Sequence, residues 1–278
     1  MSFNKLLITW AAFALLAGTS LLPAVAHAVN YATATKQGPG YELKLIPFYY
    51  SADLRTDKEG NPAVRDLELK RYGVIFNNCY QINDLMLSVL VPVAKLEIGK
   101  LKNDDAGLGD IQLRAGWNLP VQRASLMSAL MLKLPTGGFD TRHAVNLGDG
   151  QADLATELYF FKLLQPLSFD ALLRYGFRFR NSDSDVTPGN EFSAEGLVTY
   201  RLAEKVRFGP ALNFLVGGDN RKRGTRTADS GLRRFSAGGE LWYGRFDAAK
   251  ISLAAYKDVQ TRNTNEGFTV LSRIVFKF

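Results

Sequence analysis

The chain has 278 residues, 46% of them hydrophobic, with a mean hydropathy of −0.08 and a formal net charge of +7. A single cysteine, Cys79, excludes an intrachain disulfide framework, and one cysteine with two histidines, His27 and His143, cannot build a zinc cage. Past residue 28 no apolar run reaches the ~20 residues of a membrane-spanning helix, which excludes a helical membrane domain there but not a β-barrel, where only alternate residues face lipid.

The chain opens "MSFNKLLITWAAFALLAGTSLLPAVAHA", with Lys5, an apolar core and small residues at Ala26 and Ala28. This predicts a secretory signal peptide over 1–28, cleaved after Ala28; the alternative is a membrane anchor. Lys5 is its only charge, so the mature chain carries +7 − 1 = +6. Export makes nucleic acid an unsuitable partner for this moderate basicity. Residues 29–40, "VNYATATKQGPG", form a periplasmic N-terminal segment that is either a plug or an unstructured lead.

From residue 41 the sequence alternates with period 2, in segments near the 9–11 residues that cross a bilayer with tilt. About twelve strands are predicted: 41–50, 67–78, 82–96, 108–118, 124–134, 152–162, 167–180, 191–202, 205–217, 232–245, 247–257 and 267–278. In "GLGDIQLRAGWNL", Ile111, Leu113, Ala115, Trp117 and Leu119 oppose Asp110, Gln112, Arg114 and Asn118. In "LSFDALLRYGFRFR", Leu167, Phe169, Ala171, Leu173, Tyr175, Phe177 and Phe179 oppose Ser168, Asp170, Arg174, Arg178 and Arg180. In "VRFGPALNFLV", Val206, Phe208, Pro210, Leu212, Phe214 and Val216 oppose Arg207 and Asn213. The last segment puts Phe268, Val270, Ile274, Phe276 and Phe278 on one face.

The connections alternate long and short. "SADLRTDKEGNPAVRD", "IGKLKNDDAG", "PTGGFDTRHAVNLGDG", "NSDSDVTPGN", "GGDNRKRGTRTADSG" and "DVQTRNTNE" are long; "CYQIN", "PVQRA", "LLQP", "AE" and the turn near Phe246 are short. Outer-membrane barrels have this asymmetry, with long extracellular loops and short periplasmic turns. The fold expected is therefore all-β: a closed transmembrane antiparallel barrel over 41–278, with both termini periplasmic and the last strand pairing the first, because no sheet edge is tolerated in lipid. The expected location is the outer membrane, with its lipids and lipopolysaccharide as surroundings.

Three stretches in order, Gly107–Asp110, Leu134–Gly137 and Leu147–Gly150, carry a family resemblance. Their Gly-x-Gly-Asp, Leu-Pro-Thr-Gly and Leu-Gly-x-Gly patterns resemble the outer-membrane transporter family of the meta-pathway of phenol degradation. The resemblance implies a barrel that lets small hydrophobic or aromatic solutes cross the outer membrane. The terminal aromatics Phe276 and Phe278 likewise resemble the signal read by the barrel insertion machinery.

If the apolar faces meet lipid, the opposite faces line a pore. That set comprises Glu42, Lys44, Arg71, Asp110, Arg114, Glu157, Asp170, Arg174, Arg178, Glu195, Arg201, Arg207, Arg234, Glu240, Lys250 and Arg273. They act either as a polar lining or as paired filling of a narrow barrel. Arg221, Lys222, Arg223 and Arg226 in one long loop suit lipopolysaccharide phosphates, or are simply solvated. "NSDSDVTPGNEF" departs from a calcium loop at Val186 and Phe192, so a turn is expected and no metal or other cofactor is assigned. His143 lies in a loop with no assignable Ser, so no catalytic residue is expected. Tyr41, Tyr49, Trp117, Tyr175, Phe179, Trp242, Tyr243, Phe276 and Phe278 are expected in the interfacial aromatic girdle, the alternative being a ligand-stacking path. The function expected is passive channel-like uptake of small hydrophobic or aromatic compounds; the alternatives are a non-transporting structural or surface-binding barrel and an outer-membrane lipid hydrolase.

Overall fold

The computed structural model describes residues 40–143, 145–244 and 250–278. The signal peptide expected over 1–28, the segment 29–39 and the turn near Phe246 lie outside the described residues. In chain order the strands are β1 (Gly40–Thr56), the short β2 (Pro62–Val64), β3 (Leu69–Ile82), β4 (Leu85–Ile98), the short β5 (Asn103–Leu108), β6 (Gln112–Leu119), β7 (Ser125–Lys133), β8 (Asp153–Leu164), β9 (Leu167–Arg178), the two-residue β10 (Val186–Thr187), β11 (Glu191–Ala203), β12 (Val206–Gly217), the two-residue β13 (Arg221–Lys222) and β14 (Thr225–Arg226), β15 (Arg233–Gly244), β16 (Lys250–Arg262) and β17 (Asn265–Lys277).

Alternation drives each wall strand. In β6 and in the second half of β9, buried and exposed residues alternate without a break. The exposed set is apolar, as at Trp117, Leu130, Tyr175, Phe208, Leu253 and Phe268; the buried set on the same strands is polar, as at Arg114, Arg174, Arg207 and Arg273. That is the reverse of a water-soluble sheet and matches a wall with lipid outside.

Each wall strand pairs antiparallel with its sequence neighbour, and β17 returns to β1 from Glu42↔Lys277 to Arg55↔Asn265, closing the barrel. β2 and β5 are loop strands leaning on β1 and β4, so twelve strands make the wall. Phe278 completes the seam: its N–H donates to the Tyr41 carbonyl at 3.0 Å, and the Tyr41 N–H donates back at 3.4 Å.

One connection departs from the sequence reading, and one long loop turns inward. "DVQTRNTNE" is not a long loop: β16 continues to Arg262 and β17 starts at Asn265, leaving only Asn263 and Thr264 between them. Polar residues suit strands that rise above the membrane, so a drop in hydropathy marked the end of the lipid band and not of the strand. Asn263 holds the tight turn in the left-handed region (φ 51°). The loop after β7 (134–152), called loop 3 here, does not extend outward. Val145, Asn146 and Leu147 are buried, and Val145 and Leu147 join a cluster with inward Ile46, Phe48, Leu90 and Leu96.

Candidate functional site: a charged lumen beneath an inward loop

Loop 3 is fixed by the three motif stretches. Asp110, at the bend between β5 and β6, accepts from the Gly137 N–H through Oδ1 and from the Asp149 N–H through Oδ2, each at 2.9 Å. One carboxylate thus holds both ends of the loop. Thr136 adds a hydroxyl that donates to the Gly109 carbonyl (3.2 Å) and accepts from the Ile111 N–H (2.9 Å). Gly137 and Gly148 cross in contact: a Cβ on Gly148 would stand 2.6 Å from the Gly137 carbonyl oxygen and 2.7 Å from Asp110 Oδ1. Only hydrogen fits there. Inside the loop, Asn146 accepts from the Asp140 N–H at 2.7 Å and donates to the Asp140 and His143 carbonyls. Arg142 bonds the Asp140 carboxylate and holds it well below the ordinary carboxylate range.

Below the loop lies a first charged cluster. Lys133 contacts Asp149, Asp153 (2.6 Å) and Asp110 (3.7 Å). Arg178 reaches Asp153 (2.8 Å), Asp149 (3.1 Å) and Glu191 (2.6 Å). These contacts tie loop 3 to β7, β8, β9 and β11 at once, and Asn181 donates to the Asp149 carbonyl from the next loop at 2.7 Å. A second cluster centres on Glu157, which faces Arg114 (3.1 Å) and Arg174 and accepts from Tyr159 OH at 2.8 Å. Across the lumen Arg273 pairs with Glu240 and donates to Ser252 at 3.1 Å, while Arg207 bonds Thr199 and the Pro166 carbonyl, both at 2.9 Å. Glu42 and Lys44 pair on β1 at 2.7 Å. Buried ions need such partners, because desolvation otherwise exceeds the Coulomb gain.

Of the expected lining residues, all but two are buried on the inward face. Arg234 is half-buried there. Arg201 keeps the inward parity but is exposed opposite Arg207, where β11 runs past the wall. Asp170 and Arg71 are buried yet differ from the rest. Among the described residues neither Asp170 oxygen accepts a hydrogen bond, and no guanidinium nitrogen of Arg71 donates one; Arg71 instead stands 6.0 Å over the Phe48 ring. Between the clusters a cavity of about 70 Å³ is lined by Gln112, Met131, Lys133, Arg174, Arg178, Ser193, Glu195, Asn213 and Arg234 among others.

The aromatic set divides. Tyr41, Tyr49, Trp117, Tyr175, Phe179, Tyr243, Phe276 and Phe278 are exposed on the outer face, whereas Trp242 is buried at 3% exposure and packs inward with Met86, Met127, Tyr159, Phe161 and Leu172. Trp242 follows Glu240 by two residues, so period 2 already placed it inside. Phe48, Tyr50 and Tyr256 are also inward. For Phe48 and Tyr50 the signal was the near-continuous apolar end of "YELKLIPFYY", because a strand with lipid outside and loop 3 inside has no polar face to show over that stretch.

The remaining candidates lie at the rim. Arg221, Lys222, Arg223 and Arg226 are exposed on β13, β14 and their turn, and β13 pairs with β10 of the preceding loop. Arg226 is paired with Asp219 (2.6 Å) and Arg223 with Asp185 (3.6 Å). In the segment read against a calcium loop, the Asn181 side chain accepts from the N–H groups of Asp183 and Ser184, an Asx turn, and Asp185 bonds Arg180. His143 is exposed in loop 3.

A family model described as "Putative MetA-pathway of phenol degradation" matches residues 28–274. No curated protein matches the chain by sequence. Among solved structures, an outer-membrane channel from Pseudomonas putida F1 superposes with a TM-score of 0.78 at 18% identity, covering 88% of this chain and 98% of that one. The NanC porin superposes with a TM-score of 0.50 at 11% identity, covering 85% of this chain and 100% of that one. At these identities the likeness is one of fold. The chain belongs to the family described as "Putative MetA-pathway of phenol degradation".

Proposed function

We propose that this protein is an outer-membrane channel for passive uptake of small hydrophobic or aromatic compounds, entering at the long-loop end and leaving at the end bearing the termini. The observation that carries the reading is the wall itself: apolar outside, charged inside, closed from β17 to β1, with a cavity in the lumen. Membership of a phenol-degradation family supports the aromatic substrate class. Small solutes would pass loop 3, then the ion-paired belt, then the Met and aromatic layer around Trp242. No catalytic role is assigned to His143. The test is conductance of the refolded protein in a planar bilayer, with liposome swelling in candidate solutes; silence in both removes the channel.

A second reading has an observation of its own. Nearly all inward charges are buried and most are paired across strands, as in a barrel filled by its own side chains. A structural barrel of this kind would show neither conductance nor swelling while remaining fully folded. At the rim, Arg221 is exposed and suits lipopolysaccharide phosphates, whereas Lys222, Arg223 and Arg226, also exposed, already have partners. Phe276 and Phe278, exposed at the seam, suit recognition by the insertion machinery.

A further inference from the structure

We propose that the lumen cavity binds one small organic carboxylate, with Arg234 receiving the carboxylate and Arg174 offering a second donor from the opposite flank. The proposal rests on the channel reading and narrows its substrate class. Its basis is a registered row. Arg174 on β9 is opposite Ser193 on β11, Ser193 is opposite Leu215 on β12, and Leu215 is opposite Arg234 on β15. All four line the cavity. Adjacent strands stand roughly 4.8 Å apart, so the two arginine positions lie about 14 Å apart along the wall, and their long side chains reach toward each other over a hydroxyl and an apolar floor.

The charges on this wall are not equally available. Lys133 and Arg178 are engaged by Asp149, Asp153 and Glu191. Glu195 on the same wall has its own partner. Arg174 gives Nε and Nη2 to Glu157, but its buried Nη1 has no acceptor among the described residues. Arg234, half-buried, makes no side-chain hydrogen bond or ion pair among the described residues. The donors with no protein acceptor among the described residues are therefore guanidinium N–H groups, Arg174 Nη1 buried and those of Arg234 open to solvent, and the ligand that suits them is an anion with planar, paired oxygens. Met131, Ala155 and Leu215 give the cavity apolar surface for the body of that anion. A neutral solute of the same shape would desolvate Arg234 without pairing it, which a site tolerates poorly.

Benzoate and benzyl alcohol share a ring and differ in charge, so they separate these cases. Each is titrated calorimetrically into the refolded full-length protein in detergent, with heat-modifiable migration as the folding control. Benzoate is expected to bind at least about tenfold more tightly than benzyl alcohol. R234Q should abolish that preference, and R234K, which keeps the charge without the planar fork, should weaken benzoate several-fold. Arg174 is left intact because its pair with Glu157 holds the wall. Equal affinity for the two ligands, a preference that survives R234Q, or no benzoate binding would each overturn the proposal. Conductance without ligand is recorded on the same samples. An open channel that ignores benzoate keeps the channel reading and removes the carboxylate site. Benzoate binding that depends on Arg234 in a silent barrel keeps the site and removes the channel.

Discussion

Asp110 does with one carboxylate what two separate caps would otherwise do, since it receives an N–H from each end of loop 3. Asp110→Ala leaves two backbone donors without their acceptor, at a cost of ~1–3 kcal/mol each where water cannot replace it. The expected result is a lower unfolding temperature and faster tryptic cleavage after Arg142, in the loop the clamp holds; an unchanged cleavage rate would show that the loop is held by something else. The glycines of the same motifs give a sharper comparison. Gly148→Ala drives a methyl group into the Gly137 carbonyl and Asp110, and overpacking of this kind costs ~1–3 kcal/mol. Gly196→Ala, where a Cβ meets nothing within 4 Å, should stay within about 0.5 kcal/mol of the parent. Equal denaturation midpoints for the two variants would refute the close-approach account of the motif.

At the scale of strands and loops, the seam and the rim each carry a prediction. Phe278 pairs its backbone with Tyr41 and places its ring 5.8 Å from the Tyr41 ring, yet 77% of it is exposed. F278A keeps the backbone pair, so refolding in detergent should be nearly unaffected, while the yield in the outer membrane of cells should drop several-fold. Equal yield would remove the insertion-signal role. At the rim, Asp185 joins two loops: Arg180 and then Arg223 hold its carboxyl below the ordinary range, and its carbonyl accepts from the Arg223 N–H at 2.8 Å. A carboxyl with a depressed folded pKa stabilises fully above its unfolded value, near 3.9, and loses that contribution as pH falls toward the folded value. Hydrogen-exchange protection of Arg223, corrected for intrinsic rate, should hold from pH 7 to about 4 and decline below. A loss already complete at pH 6 would point to another group. The strands were legible because lipid outside and charge inside force a strict period of 2, as in β6 and β9. β16 runs past the predicted end at 257 to Arg262 because its last residues leave the lipid band and lose the apolar half of the pattern. The inward turn of loop 3 was not legible because Gly, Asp and Asn look alike in a solvated loop and in one folded onto a carboxylate; its docking surface was visible only as apolar runs in β1 and β4 with no polar face.

The molecule as a whole separates two jobs. The wall is held by a hydrogen-bonded ladder with no free edge between β1 and β17, which is what lets a barrel tolerate a lumen full of charge. Passage is decided by what fills that lumen, and here two barriers lie in series: loop 3 near one mouth, and the side-chain belt around Glu157, Arg174, Glu240 and Arg273 beneath it. Replacing residues 138–147 with a short Gly-Ser linker removes the first and leaves the second. The wall contacts of Lys133 with Asp153 and of Arg178 with Asp153 and Glu191 do not involve the excised segment, so the barrel should still refold. Loss of buried Val145 and Leu147 should cost ~1.5–3 kcal/mol apiece. If loop 3 is the narrower barrier, single-channel conductance rises several-fold and benzoate or benzyl alcohol swell liposomes faster. If conductance is unchanged in a folded barrel, the belt sets the rate, and E157Q, which weakens the hold on both Arg114 and Arg174, becomes the variant in which current should move.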